Sequence, residues 1–343
     1  MTPPDAAAAE TDAPIGGGAL PRAAGTGRIR LLGRSAGGLM WMMRYIERAE
    51  TISRLIEAGQ RMSLTRQGDA AGEWQAIVTA AGQADAYAGT GRPYDAAGVA
   101  DFLLRDAANP MPLRHMIETA RFNARMVRTT ITREVWEAIN EFHLEMSTLL
   151  AHSVSPRDMP ETMATIRRHG ALVRGAFTGS MLRNEIYDFA RLGTFLERAD
   201  GTARILDVKY HVLLPSAQDV GAELDIAQWE QLLRAVGVNR AFLMVHGDDY
   251  GAAAVADFLI FDERMPRSLA YCIDRMRIHL AHLAHNHDGE TEADRILAGM
   301  GDRLDRAEIG EILEDGLHEF LTGFVADLIR LSDATAIAYR FHV

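Results

Sequence analysis

A chain of 343 residues that is 48% hydrophobic and only 7% aromatic reads as a soluble globular protein with an aliphatic core, sixteen methionines included. Its formal charge of −11 argues against a non-specific binder of nucleic acid or of an anionic membrane, since both need a basic face. A single cysteine, Cys272, excludes an intrachain disulfide and argues against a thiolate metal cluster. There is neither an apolar run of about eighteen residues nor a basic-then-apolar leader, so the expected location is the cytoplasm.

In chain order, residues 1–27 are rich in Ala, Gly, Pro and Thr without periodicity, which predicts a disordered tail. Ser35-Ala-Gly-Gly38 reads as a breaker and N-cap before a helix running to about Met62. A second helical pattern leads from Trp74 through Gly82 to Tyr94, followed by Val99 to Pro110. Pro110 and Pro266 are each predicted to open the next helix, where a missing N–H costs nothing. Ser153 to Pro160 reads as the break between two halves, and Leu213–Leu224 and Asp288–Glu292 read as loops. Long helices are expected from Pro160 to Thr178 and from Ile309 to Arg340. No alternating strand or hairpin signal appears, so the expected fold is all-α.

The halves resemble each other. Ile46-Glu-Arg-Ala-Glu-Thr-Ile-Ser-Arg-Leu-Ile-Glu-Ala58 aligns without a gap on Leu196-Glu-Arg-Ala-Asp-Gly-Thr-Ala-Arg-Ile-Leu-Asp-Val208. Trp74, Gly82 and Tyr94 return as Trp229, Gly237 and Tyr250, and Val99-Ala-Asp-Phe102 returns as Val255-Ala-Asp-Phe258. We therefore expect a helical bundle of two duplicated repeats, residues 28–155 and 156–343, packed with pseudo-twofold symmetry.

On the first repeated helix, Glu47, Glu50, Arg54 and Glu57 fall within an arc of roughly 80°, opposite Trp41, Tyr45, Ala49, Ile52 and Ile56. The charges are kept between copies better than the apolar positions are, with Glu197, Asp200 and Arg204 repeating Glu47, Glu50 and Arg54. Two readings follow. The stripe is a salt-bridge network that docks the halves, or it lines a cleft in which the acids hold an amine or a Mg²⁺-bound group while arginines, Arg44 included, hold a carboxylate or phosphate. Arg48 and Arg198 lie off the stripe, at the flank of an apolar face, and are expected to be structural.

Arg114, Arg121, Arg125 and Arg128 share a second face, within an arc of roughly 60°, suited to an anionic ligand, to an acidic partner surface or to plain solvation. Because Lys209 is the only lysine among 36 basic residues, arginine counts carry little weight alone. His279 and His282 have the spacing to share a metal. Four ligands cannot converge from one straight helix, however, so no metal site is assigned along His279–His287. No Gly-rich phosphate loop or nucleophile elbow is present.

These stretches resemble the bacterial alpha-E family: Trp41-Met-Met-Arg-Tyr-Ile-Glu-Arg-Ala-Glu50, Ala120-Arg-Phe-Asn-Ala-Arg125, Glu134-Val-Trp-Glu-Ala-Ile-Asn140, Leu192-Gly-Thr-Phe-Leu-Glu-Arg-Ala-Asp200 and Pro266-Arg-Ser-Leu269. The resemblance implies a partnership with circularly permuted ATP-grasp ligases, sometimes with a transglutaminase-like peptidase, in making or modifying a peptide. It departs from the family pattern at Met43, where glycine is usual, at Phe122, where an acid is common, and at Ile52. The expected function is thus an accessory or co-catalytic partner of a peptide or amide ligase, acting on a peptide or amino-acid substrate. It would carry no cofactor of its own, ATP and Mg²⁺ residing on the ligase. The rivals are a stand-alone acyl or aminoacyl transferase or hydrolase with Glu47 or Glu197 as general base, and a metal-binding bundle.

Overall fold

Helical periodicity along nearly the whole chain is realised as fifteen helices, with no strand among the described residues. The computed structural model describes residues 31, 33–65, 70–213, 223–287 and 289–341. The tail expected over 1–27 and most of the loop expected over 213–224 lie outside them. The helices are α1 (Gly33–Thr65), α2 (Ala70–Ala80), α3 (Ala84–Ala88), α4 (Ala96–Leu104), α5 (Leu113–Met126), α6 (Arg133–Leu149), α7 (Met159–Ser180) and α8 (Glu185–Leu213). They continue as α9 (Glu223–Val236), α10 (Asn239–His246), α11 (Ala252–Phe261), α12 (Leu269–Asn286), α13 (Glu292–Arg306), α14 (Ile309–Asp315) and α15 (Leu317–Ala338).

The two repeated segments form the centre. α1 is packed by α2, α4, α5, α7, α8 and α9, and α8 also by α2, α9, α11, α12 and α15. A helix enclosed in this way buries more than one stripe, and Leu39, Met43, Ile46, Ile52, Leu55 and Ile56 are all buried. Each such side chain contributes about 1.5–3 kcal/mol by leaving water. Gly193 lies against the Met40 carbonyl oxygen, 2.1 Å from where a Cβ would stand, so the missing side chain lets the α8 backbone approach α1. Further along, Arg44 and Arg48 reach Glu197, and Gly201 abuts Thr51. Contacts advance together on both helices, which therefore run side by side in the same direction.

Several local expectations are corrected. Ser35-Ala-Gly-Gly38 lies inside α1 rather than before it, because the bare face of Gly37 packs on Phe341 near the far end of the chain. Pro110 and Pro266 precede their helices instead of opening them. Pro112 stands at the N-cap of α5, and Ser268 caps α12 by accepting from the Tyr271 N–H at 3.1 Å. The pattern from Trp74 to Tyr94 is cut at Gly82, and that from Ile309 to Arg340 at Gly316, whose φ of 119° no helix accommodates. The segment between α6 and α7 is non-helical, as Ser153–Pro160 suggests, and the helices on both sides of it join one hydrophobic cluster.

Candidate functional site: the buried arginine–carboxylate network

The charged stripes of α1 and α8 face each other. Glu47, Glu50, Glu197, Asp200, Arg44 and Arg198 are all buried, so charge here marks the interior and not a solvated face. Trp41 and Tyr45, expected on the buried side, are half-buried instead and line an open groove of about 460 Å³ with Arg34, Phe122, Asn123 and Met126.

The contacts cross between the helices reciprocally. Arg198 donates from Nη2 to Glu47 Oε1 at 2.8 Å and from Nε to Glu47 Oε2 at 3.4 Å. Arg48 donates from Nη2 to Glu197 Oε2 at 2.9 Å and from Nε to Glu197 Oε1. Each is a forked guanidinium–carboxylate pair, the strongest common geometry for these groups. The next positions repeat the exchange, since the Arg54 guanidinium lies against Gly237 and that of Arg204 against Gly82. Within each helix, Arg54 donates to Glu50 at 2.7 Å and Arg204 to Asp200 at 2.8 Å, four residues apart. Arg44 adds a bond to Glu197 at 3.0 Å and one to Ser332 Oγ on α15 at 2.8 Å.

Two further arginines complete the network. Arg174 on α7 donates to Glu47 Oε1 at 3.2 Å and to Glu50 Oε2. Arg267, just before α12, donates to Glu50 Oε1 at 2.6 Å. Of these, Arg267 was visible only inside Pro266-Arg-Ser-Leu269, and Arg174 had no signal in an arginine-rich chain. Burial opposes ionisation of Glu47, yet Arg198, Arg174 and Arg267 outweigh it and hold its pKa below the ordinary value of 4.5. Burial and the Glu47 charge oppose ionisation of Glu50, while Arg267, Arg174 and Arg54 prevail; at Glu197 burial loses to Arg48 and Arg44. Arg267 is pulled down to about 10 by its own burial and by the like charge of Arg54.

The two ends of the network differ. Beside Glu197 and Asp200 a cavity of about 130 Å³ remains, lined also by Arg48, Arg204, Gln83 and Met111. Met111 follows Pro110 as Arg267 follows Pro266. The Glu50 end thus receives a guanidinium where the Asp200 end has a thioether.

The arginines of the second face lie on α5 and in the turn after it. Arg121 donates to Asn140 Oδ1 at 2.8 Å and lies 5.7 Å from the Trp136 ring centre, and Arg128 lies 5.5 Å from it. Arg125 is exposed at the end of α5, and Arg114 lies 3.4 Å from Glu118. Arg121 and Arg128 thus share the Trp136 ring, while Arg114 pairs with Glu118 along α5. Among the described residues no helix is long and apolar enough to cross a membrane. Cys272 is buried, and burial pushes its thiol up to about 12, which leaves it inert.

No solved structure matches the chain. Uncharacterised proteins of Mycobacterium bovis and of two Mycobacterium tuberculosis strains are each 26% identical over 330 residues, covering 86% of this chain and 35% of the relative. The chain therefore spans about a third of the length of these curated relatives. A family described as an alpha-helical domain with a conserved ER motif matches residues 31–339. Glu-Arg occurs at 47–48 and again at 197–198, and the geometry gives that dipeptide a purpose: the acid of each pair accepts from the arginine of the other. With this motif at its centre and the match running from α1 into the residue after α15, the chain belongs to the Alpha-E family.

Proposed function

We propose that the chain is an accessory or co-catalytic partner of an ATP-grasp-type peptide or amide ligase in a bacterial peptide synthesis or tagging system. The observation that carries this reading is that the repeated charges are spent on one another. A general base must receive a proton near working pH. Glu47 and Glu197 instead are buried, forked onto arginines and held ionised below the ordinary carboxylate range. This disfavours a stand-alone transferase or hydrolase built on either glutamate, and it leaves the network as the clamp between α1 and α8.

Chemistry then comes from a partner that brings ATP and Mg²⁺, with a peptide or amino acid as the shared substrate and a transglutaminase-like peptidase as a second associate. The relatives support such an arrangement, because in them a domain of this kind occupies about a third of a longer chain. The test is co-purification with a circularly permuted ATP-grasp ligase from the same genome, followed by ATP-dependent amide formation with and without this protein. The expected result is a stoichiometric complex and faster ligation. Neither a complex nor an effect on rate would overturn the proposal.

A further inference from the structure

Away from the central network, the first turn of α8 meets the middle of α12. Asp188 Oδ1 stands 2.7 Å from His279 Nδ1 and 3.3 Å from His282 Nδ1, and the three ligand atoms lie within 4.8 Å of one another. The sequence offered two histidines on one helix and no third group, and the fold supplies it from a neighbouring helix. We propose that Asp188, His279 and His282 form a binding site for a divalent first-row transition ion of the zinc type.

The donor set suits such an ion. Two imidazoles and one carboxylate favour borderline metals over Mg²⁺ or Ca²⁺, which prefer all-oxygen shells. Bonds of about 2.0–2.1 Å set neighbouring ligand atoms roughly 3–3.4 Å apart in octahedral or tetrahedral geometry. The 3.3 Å separation from His282 falls within that span, and the 2.7 Å separation from His279, a hydrogen-bond distance, would open by a few tenths of an ångström on binding. Three protein ligands would leave a coordination position open to water, and the site is reachable from solvent, since Asp188 and His279 are buried whereas the His282 side chain is 61% exposed and can turn toward an ion.

The surroundings hold the inner ligands still. The His279 ring stacks on Phe195 at 6.0 Å and meets Tyr187 edge-on at 5.9 Å. His287 Nε2 faces Glu185 Oε2 at 3.3 Å, while the Tyr339 hydroxyl is buried with no hydrogen-bond partner among the described residues and feels the charges of Asp294 and Asp188. A buried hydroxyl of this kind is ordinarily satisfied, and water held around a bound ion would satisfy it.

The competing explanation is a purely hydrogen-bonded triad, in which each ring donates to Asp188 and no metal binds. Titration of the full chain with Zn²⁺, and with Co²⁺ read by its visible absorption, separates the two. The expected result is one equivalent bound, with affinity lowered about tenfold or more in His282→Ala and unchanged in His285→Ala, whose side chain is exposed on the same helix. His282→Ala alters an exposed side chain, so it leaves the fold intact, as circular dichroism would verify. Substoichiometric binding by the wild type, or equal binding by His282→Ala, would overturn the site.

Discussion

At the Glu50 end of the central network, Arg54, Arg174 and Arg267 converge on one carboxylate; at the Asp200 end Arg204 is the hydrogen-bonded guanidinium and a cavity of about 130 Å³ lies beside it. Both ends start from residues that recur in sequence, on the helices α1 and α8. The contrast teaches that the forked pairs in the middle dock the helices, while the ends have been finished independently. It also shows how far the packing of cations has gone. Seven arginines, at 44, 48, 54, 174, 198, 204 and 267, serve four carboxylates. Arg267, at the crowded end, is the one pulled down to about 10.

The largest effect is expected from breaking the middle on its more buried side. In Arg198→Met, Glu47 keeps Arg174 but loses its fork in a place water does not reach, at a cost of about 3–5 kcal/mol. The mirror change Arg48→Met should cost less, because the Arg48 side chain is 32% exposed against 10% for Arg198. Urea unfolding of both variants measures the difference. Equal, small losses would mean that the reciprocal pairs do not hold α1 to α8.

Acid probes the same pairs without mutation. Glu47, Glu50 and Glu197 have folded-state values lowered from 4.5, so each contributes stability that is fully present above that pH. That contribution is lost as pH falls through the folded values, because the unfolded chain then binds protons that the folded one refuses. The urea midpoint should therefore hold from about pH 7 to 5 and drop steeply below about 4.5. Without Arg198, the Glu47 value moves back toward ordinary and the drop becomes shallower. An acid profile identical in Arg198→Met and the wild type would contradict this assignment of the pairs.

How much of this the sequence disclosed depends on what kind of information each part required. The all-α fold followed from periodicity, and Glu47, Glu50, Arg54 and their later counterparts stood out because they recur. Periodicity says which residues share a face, not which face is inside. For a helix enclosed by neighbours, the charged face of α1 is as buried as the apolar one, and Trp41 and Tyr45 end at a groove. Arg174 and Asp188 act across large sequence separations and lack a local pattern, so only the fold brings them to Glu47 and to His279. The glycines misled in both directions. Gly37 sits within a helix because a neighbouring chain end needs its bare face, whereas Gly316 breaks an otherwise continuous apolar rhythm through its φ.

The smallest effects come from exchanging the finishes of the two ends. Arg267→Met gives the Glu50 end the residue found beside Asp200. Glu50 keeps Arg54 and Arg174, and Arg267 was itself disfavoured by burial and by Arg54, so the loss should be about 1–2 kcal/mol, well under that of Arg198→Met. Met111→Arg sends a guanidinium toward the cavity beside Asp200. Space and an acceptor are present, but Arg48 and Arg204 already line that cavity, so attraction and repulsion nearly cancel and the change should stay within about 1 kcal/mol of neutral. Urea midpoints of the two variants and of the double exchange decide the matter. If Met111→Arg costs more than Arg267→Met, the opening beside Asp200 cannot take a third guanidinium, and the difference between the ends is imposed by charge rather than by independent packing.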